Sequence, residues 1–140
     1  MNHTTLEQSK KLIELGLDPS SADLWYAERY EGKHTPEGMY YTEKEPYTYY
    51  LSLTKPSEGN CSIDYIKDIP CWSIGALIEL IPESINDNTP CYAELEFSKR
   101  SIAYHNIDDP IKIGYLRDTL FEACYCMVCW LLENNYIKKG

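Results

Sequence analysis

The stretch from Thr119 to Asn134 constrains the fold more than any other part of the chain. It opens with Thr119-Leu120-Phe121-Glu122, the S/T-x-x-E spacing of a capping box, which predicts the start of a helix. With residues placed about 100° apart around the axis, the apolar side chains fill one continuous arc of more than half the circumference. They are Leu120, Phe121, Ala123, Cys124, Tyr125, Met127, Val128, Trp130, Leu131 and Leu132. An arc this wide exceeds the stripe of a surface helix, so we expect this helix at the centre of the core.

A second helix is predicted near the beginning of the chain. Thr4-Thr5-Leu6-Glu7 repeats the capping-box spacing, and the helix is expected over Thr5–Leu15. Gly16 suits the left-handed position that follows a helix end, where Leu17 can close the cap with an apolar contact. The residues expected to face inward are Leu12, Ile13 and Leu15.

Two further helical segments are predicted from capping signals and spacing. Asp18-Pro19 supplies an N-cap and a first helical residue, which predicts a short helical turn near Ser21–Tyr26. Farther along, apolar residues recur at i, i+3, i+4 and i+7, namely Ile74, Leu77, Ile78 and Ile81. That spacing predicts a helix over Trp72–Ile81, which Pro70 can open and Pro82 ends.

Strand signals occupy the middle of the chain. Tyr47–Thr54 alternates with a period of two and is rich in aromatic residues, which is typical of a strand. Glu28–Glu45 is polar and punctuated by glycine and proline, which predicts a loop or a weakly paired strand. Cys91–His105 reads as a β-hairpin, and His105–Gly114 as a loop.

Together these elements predict an α+β fold in a single domain covering residues 1–140. We expect a small antiparallel sheet packed against a buried C-terminal helix, Thr119–Asn134, with two flanking helices at Trp72–Ile81 and Thr5–Leu15.

The charge balance restricts the class of partner. The chain has 13 basic and 22 acidic side chains and a formal net charge of −9, without a basic block. Binding to nucleic acid needs clustered Lys and Arg to displace counterions, so we expect no nucleic-acid partner. The opposite hypothesis, an acidic mimic of nucleic acid, remains open as an alternative.

The lack of a secretory signal and of a membrane-spanning stretch predicts a cytoplasmic protein. The first fifteen residues hold four charged side chains and lack the apolar core of a secretory signal. No stretch approaches the roughly 20 apolar residues needed to cross a bilayer, so no membrane association is expected. The six cysteines are then expected to be reduced thiols.

Three segments resemble a known set of proteins. They are Leu15–Leu24, Ile69–Pro82 and Met127–Asn134, which contain the strings GLDPSSAD, PCWSIGALIELIP and WLLEN. In this order, the strings are similar to those of small uncharacterised proteins of gut Bacteroidales, often encoded in prophages and other mobile elements. Cys71 departs from that pattern, which has a small residue there, and Asn135 stands in place of glycine. The resemblance covers about a quarter of the chain, and it implies a genomic setting but no catalytic residue.

The thiols of the last helix are the first candidates for chemistry. Cys124, Cys126 and Cys129 form a C-x-C-x-x-C string. Zinc needs ligands that converge tetrahedrally at about 2.3 Å. On a helix Cys124 faces the core whereas Cys126 and Cys129 point to the opposite side. We therefore expect no shared metal site, although the latter two, at i and i+3, remain able to share a soft metal or to oxidise together.

Cys71 is a second candidate, since it lies near a predicted helix start, where the dipole lowers a thiol pKa. A thiol–imidazole pair with His34 or His105 is one hypothesis, but nothing in the sequence places either histidine nearby. Glu94 and Glu96 share a strand face, and we expect that face to be solvated.

Tyrosine is the one unusual feature of the composition, with 13 in the chain. Five of them crowd into the range 40–50, namely Tyr40, Tyr41, Tyr47, Tyr49 and Tyr50. Because tyrosine is enriched at protein interfaces, these five are a possible interaction surface. The competing interpretation is a tyrosine-rich sheet that packs on the core helix.

These observations favour a non-enzymatic accessory protein of a phage or mobile element that acts through protein–protein contacts. Its protein partner is unknown, a homodimer is possible, and no catalytic residue, cofactor or metal is assigned. Besides the acidic mimic, one alternative stays open: a small cysteine-dependent enzyme or metal-binding protein that uses Cys71 or the Cys126 and Cys129 pair.

Overall fold

The structure, a computed structural model, describes residues 2–30, 32–34, 40–42, 48–53, 55, 65–85, 93–105 and 113–140. Its elements in chain order are α1 (Leu6–Glu14), a 3₁₀ turn (Pro19–Ser21), β1 (Leu24–Tyr30), β2 (Gly32–His34), β3 (Tyr40–Thr42), β4 (Thr48–Ser52), β5 (Tyr65–Cys71), α2 (Ile74–Leu80), β6 (Ser84–Ile85), β7 (Ala93–Phe97), β8 (Ser101–His105), β9 (Ile113–Leu116) and α3 (Leu120–Glu133). The fold is α+β, as predicted.

The C-terminal helix α3 is the centre of the core. Thr119 caps it by accepting a hydrogen bond from the Glu122 backbone N–H at 3.2 Å, which confirms the predicted start. The helix packs against α2 on one side and against β8 and β9 on another. Its buried residues are Phe121, Ala123, Cys124, Met127, Val128, Leu131 and Leu132, all within the predicted apolar arc.

The end of α3 folds back on the helix, as predicted. Asn135 adopts a left-handed conformation with φ of 62°, and the Tyr136 N–H donates to the Leu131 carbonyl at 2.9 Å. This closes a Schellman motif at a residue other than glycine, which asparagine tolerates. The Tyr136 ring then stacks on Trp130, with 5.4 Å between centroids, and Ile137 is buried.

Helix α1 begins one residue later than its sequence signal indicates. The capping box is formed by Thr5 and Gln8 rather than by Thr4 and Glu7. Thr4 is unavailable as a cap because its side chain is buried in contacts with other parts of the chain. The prediction that Ile13 faces inward was also wrong, since 37% of its surface is exposed.

The predicted C-cap of α1 is confirmed. Gly16 has φ of +98°, and its N–H donates to the Ile13 carbonyl at 3.0 Å. The Leu17 N–H donates to the Leu12 carbonyl at 3.0 Å, and the Leu17 side chain is buried against the core. These bonds form a second Schellman motif.

A four-stranded antiparallel sheet, in the order β6-β7-β8-β9, covers one side of α3. The β7–β8 hairpin is confirmed, with Ile102 and Tyr104 fully buried on the inner face. The loop predicted over His105–Gly114 is wrong at its end, because β9 begins at Ile113 and pairs with β8. Strand β9 has only four residues and follows a run of turn-forming residues, so the sequence pattern gives little indication of a strand.

A three-stranded antiparallel sheet has the order β4-β1-β5. Strand β4 confirms the strand predicted over Tyr47–Thr54, and β2 and β3 form a separate two-stranded ribbon. The helical turn predicted near Ser21–Tyr26 was wrong. Asp18 caps a single 3₁₀ turn, accepting from the Ser20 N–H at 2.9 Å, and the chain then enters β1, which gains strand partners on both sides.

Helix α2 is shorter than predicted. Ser73 caps it by accepting from the Ala76 N–H at 3.2 Å, and the Ser73 N–H donates to the Asp23 carboxylate at 2.9 Å. Pro70 does not open this helix but belongs to β5. Trp72 follows β5 in the chain, precedes α2 and is fully buried. Its indole N–H donates to the Ser21 hydroxyl at 2.9 Å.

We predict opposite effects for alanine at two glycines. Gly16→Ala lowers the free energy of unfolding by about 1–2 kcal/mol, because a side chain is strained in the left-handed region and the new Cβ meets Lys139 Cδ at 3.0 Å. Gly75→Ala, within α2, raises it by about 0.5–1 kcal/mol, since its nearest neighbour is 3.7 Å away. Urea denaturation measures both, and equal effects would contradict the assigned helix end.

Candidate functional site

The start of the chain lies as an extended segment against the junction of β5 and α2. The Thr4 N–H donates to the Trp72 carbonyl at 2.9 Å, and the Ile74 N–H donates to the Asn2 carbonyl at 2.9 Å. His3 and Ser73 form an antiparallel bridge between these two bonds. The segment therefore lengthens the edge of the sheet beyond the end of β5.

This segment encloses the Cys71 thiol in a polar cluster. Cys71 is fully buried, and its Sγ donates to the Thr4 carbonyl at 3.4 Å. The Thr4 hydroxyl accepts from the Trp72 N–H at 3.1 Å and lies 3.5 Å from the sulfur. Ser9 Oγ, on α1, lies 2.7 Å from the same hydroxyl. Among the described residues no buried side-chain N or O atom is left without a partner.

The histidine beside Cys71 is His3, which the sequence hypothesis had not considered. Its Nδ1 lies 3.9 Å from the Cys71 sulfur and 3.4 Å from the Tyr26 hydroxyl, which donates to the Thr4 carbonyl at 2.8 Å. His105 instead pairs with Glu96 on the other sheet, so its proposed pairing with Cys71 was wrong. The side chain of His34 lies outside the described residues.

Burial sets the protonation state of the Cys71 thiol. Loss of solvent raises its pKa, and the nearby Asp23 carboxylate acts in the same direction. Hydrogen bonds from Thr4, Tyr26 and Ser9 oppose this without reversing it. Because the thiolate is the nucleophile, a protonated thiol that donates to a carbonyl is suited to packing rather than to attack.

Helical spacing directs the Cys124 thiol away from those of Cys126 and Cys129, as predicted, but Cys129 also packs against the core rather than lying opposite it. Cys124 is buried in the core, where desolvation raises its pKa to about 11. Cys126 and Cys129 are half-buried on another side of the helix, and desolvation likewise raises the pKa of Cys129 to about 11. In the part of the chain that the structure describes, no group of three or more His, Cys, Asp or Glu side chains is arranged to hold a metal ion.

A groove of about 660 Å³ lies between α1, the 3₁₀ turn and β5. Its apolar lining comes from Ile13, Pro19, Trp25, Ile69 and Pro70, and its polar lining from Lys10, Asp18, Ser20, Lys55 and Asp68. We call this the α1–β5 groove. Its size falls within the range of ligand pockets, and an apolar lining with a few polar groups is their usual composition.

The candidate surface proposed from tyrosine content falls outside what the structure describes. Tyr40 and Tyr41 belong to β3, and Tyr49 and Tyr50 belong to β4, but their side chains are not among the described ones. Tyr47 lies outside the described residues altogether. The tyrosine surface therefore stays a prediction.

The solvated face predicted for the hairpin is confirmed. Glu94 and Glu96 are exposed on the outer side of the four-stranded sheet, opposite His105 and Ala103. The Glu96 carboxylate is paired with the His105 ring, so the two glutamates do not form a bare carboxylate pair.

Comparison with protein-family models, curated proteins and solved structures finds no match for this chain. The helices in the described part of the chain are too short or too polar to cross a lipid bilayer.

Removing the Thr4 hydroxyl tests the polar cluster. Thr4→Val keeps the shape of the side chain but leaves the Trp72 N–H unpaired in a buried site, which costs about 1–3 kcal/mol of unfolding free energy. Thr4→Ser keeps the hydroxyl and loses only one buried methyl group, about 0.8 kcal/mol. Thermal and urea unfolding compare the two, and a Thr4→Val protein as stable as the wild type would refute the assignment.

The alkylation rate of Cys71 tests its proposed inertness. In the folded protein at pH 7.5 we expect Cys71 to react with iodoacetamide at least tenfold more slowly than in the urea-unfolded chain, because the folded thiol is buried and its pKa is raised. Peptide mapping by mass spectrometry separates its rate from those of the other cysteines. A folded rate equal to or faster than the unfolded rate would revive the cysteine-enzyme alternative.

Proposed function

We propose that this chain is a non-catalytic accessory protein that binds a partner protein through the α1–β5 groove. The observation that carries the proposal is the apolar lining of the groove, to which the half-buried Trp25 contributes together with its register partner Pro70 and with Ile13. Tryptophan is enriched among the residues that dominate protein–protein binding energies. An open cleft with such a lining suits the capture of a short apolar segment.

The surroundings of the cysteines support a role without catalysis. The pKa values of Cys71, Cys124 and Cys129 are all raised by desolvation, whereas a reactive thiol needs surroundings that lower its pKa. The 3.9 Å approach of His3 to Cys71 is the observation that favours the enzyme alternative. Against it, the sulfur is fully buried and faces the Thr4 carbonyl.

The proposed setting is a prophage or mobile element. It rests on the three strings shared with the Bacteroidales proteins, two of which mark helix boundaries in this fold, at Gly16–Asp18 and at Ser73. The third covers the end of α3. In such a setting an accessory protein acts by contact with another protein, and a second copy of this chain is one candidate for that protein.

A matched pair of isoleucine variants tests the groove. Ile13 on α1 and Ile78 on α2 are both 37% exposed, but only Ile13 lines the groove. We expect Ile13→Asp to reduce capture of the partner from host lysate at least tenfold, because a carboxylate is costly to desolvate in an apolar contact. Ile78→Asp should leave capture within twofold of wild type.

Quantitative mass spectrometry of the captured proteins, with circular dichroism to verify folding, gives the readout. A protein that is retained by the wild type and lost only with Ile13→Asp identifies the partner. Equal capture by the wild type and both variants would refute the groove as the binding site.

A further inference from the structure

The α1–β5 groove reaches from one face of the three-stranded sheet to the edge of its outer strand β5. Its lining includes the consecutive residues Asp68, Ile69 and Pro70 of β5. Trp25 and Pro70 are opposite each other in the sheet. Their side chains share one face with Asp68, whereas Ile69 points to the other face, so a groove lined by all of them reaches around the free edge of β5. In the described part of the chain, β5 is the outer strand of its sheet.

The same edge already holds an extended segment of this chain. Immediately beyond β5, residues Asn2–Thr4 pair with Trp72–Ile74 through the hydrogen bonds described above. Helix α1 then starts at Leu6, packs against β5 and supplies Lys10 and Ile13 to the groove. The groove is therefore the continuation of a surface on which an extended chain is already seated.

Pro70 limits how an occupant of the groove can bind. It has no backbone N–H, and proline at a sheet edge hinders pairing with a further strand. An occupant is therefore contacted mainly by side chains. These are chiefly Trp25 and Ile13, together with Pro19 of the 3₁₀ turn. This favours an extended apolar segment held in a cleft over one that adds a strand to the sheet.

One of the four charged residues in the groove lining, the exposed Asp18, favours a basic residue next to the apolar stretch of an occupant. Lys10, Lys55 and Asp68 each already take part in interactions within the chain. Asp18 contributes an exposed side chain to the groove lining, and hydrogen bonding from Ser20 lowers its carboxyl pKa, so it stays ionised near neutral pH. The net charge of −9 also attracts basic partners over longer distances.

We infer that the α1–β5 groove takes an extended apolar peptide segment of a partner protein, flanked by a Lys or Arg that pairs with Asp18. This inference rests on the proposed function and adds the chemistry of the partner. It commits to a peptide of another protein, and a second copy of this chain is one outcome of the test.

The test selects random displayed heptapeptides on the full-length protein. We expect the selected peptides to combine apolar residues with a Lys or Arg at one end, and to bind at least tenfold more weakly to Ile13→Asp in fluorescence anisotropy. Asp18→Asn should weaken them about two- to fivefold at low salt, the range of an exposed ion pair. Asparagine caps a helical turn as well as aspartate, so the turn is retained.

Two controls isolate the ion pair. A peptide with Gln in place of its Lys or Arg should bind wild type and Asp18→Asn equally. Asp118→Asn, which removes an exposed carboxylate outside the groove lining, should leave all affinities unchanged.

Three results would overturn the inference. Groove-dependent apolar peptides without a basic residue, unaffected by Asp18→Asn, would refute the ion pair but leave the proposed function standing. If no selected peptide depends on Ile13 for binding, the inference that the groove takes a peptide segment is refuted. The proposed function is refuted only by equal capture of partner proteins by the wild type, Ile13→Asp and Ile78→Asp. A dimer in light scattering that becomes a monomer with Ile13→Asp would assign the groove to a second copy.

Discussion

The burial of α3 is the constraint on which the rest of the structure depends. Its apolar arc is too wide for one neighbour to cover, so α2 must pack on one side and the four-stranded sheet on another. Each buried Leu, Phe or Met contributes about 1.5–3 kcal/mol through removal from water. Helix α1 joins the same core through Leu12, and its next residue, Ile13, is thereby held at the groove. Helix α3 thus positions the groove through the core that α1 joins, although none of the described residues that line the groove belongs to α3.

The elements that could be predicted from the sequence are those whose signals are local. Helix α3, the β7–β8 hairpin and the left-handed glycine after α1 all follow from spacing and capping residues over a few positions. Strand β5 carries a proline and leads directly into α2, so it reads as the opening of a helix. Strand β1 follows a capped turn that reads as a longer helix. In both cases the conformation is decided by pairing with strands that are distant in sequence. The spacing of apolar residues within the segment does not indicate that pairing.

The candidate site was harder to predict because its parts are distant in sequence. The capping position of α1 shifts by one residue because Thr4 bonds to Trp72, and nothing near Thr4 reveals that contact. The same pairing brings His3 to Cys71, whereas the sequence offered only three histidines with no indication of which lay near. The groove combines residues of α1, the 3₁₀ turn, β1 and β5. The direction of the α3 thiols could be predicted, since it depends only on helical geometry.

The pairing of Asn2–Thr4 with Trp72–Ile74 also bears on how helix α1 becomes ordered. The backbone that anchors the start of α1 lies about seventy residues farther along the chain, and the α3 residues of the core that receives Leu12 lie farther still. An isolated helix of nine residues is marginal in water. Helix α1 is therefore held by contacts that close over long sequence separations, so one wall of the groove depends on formation of the core rather than on local helix propensity.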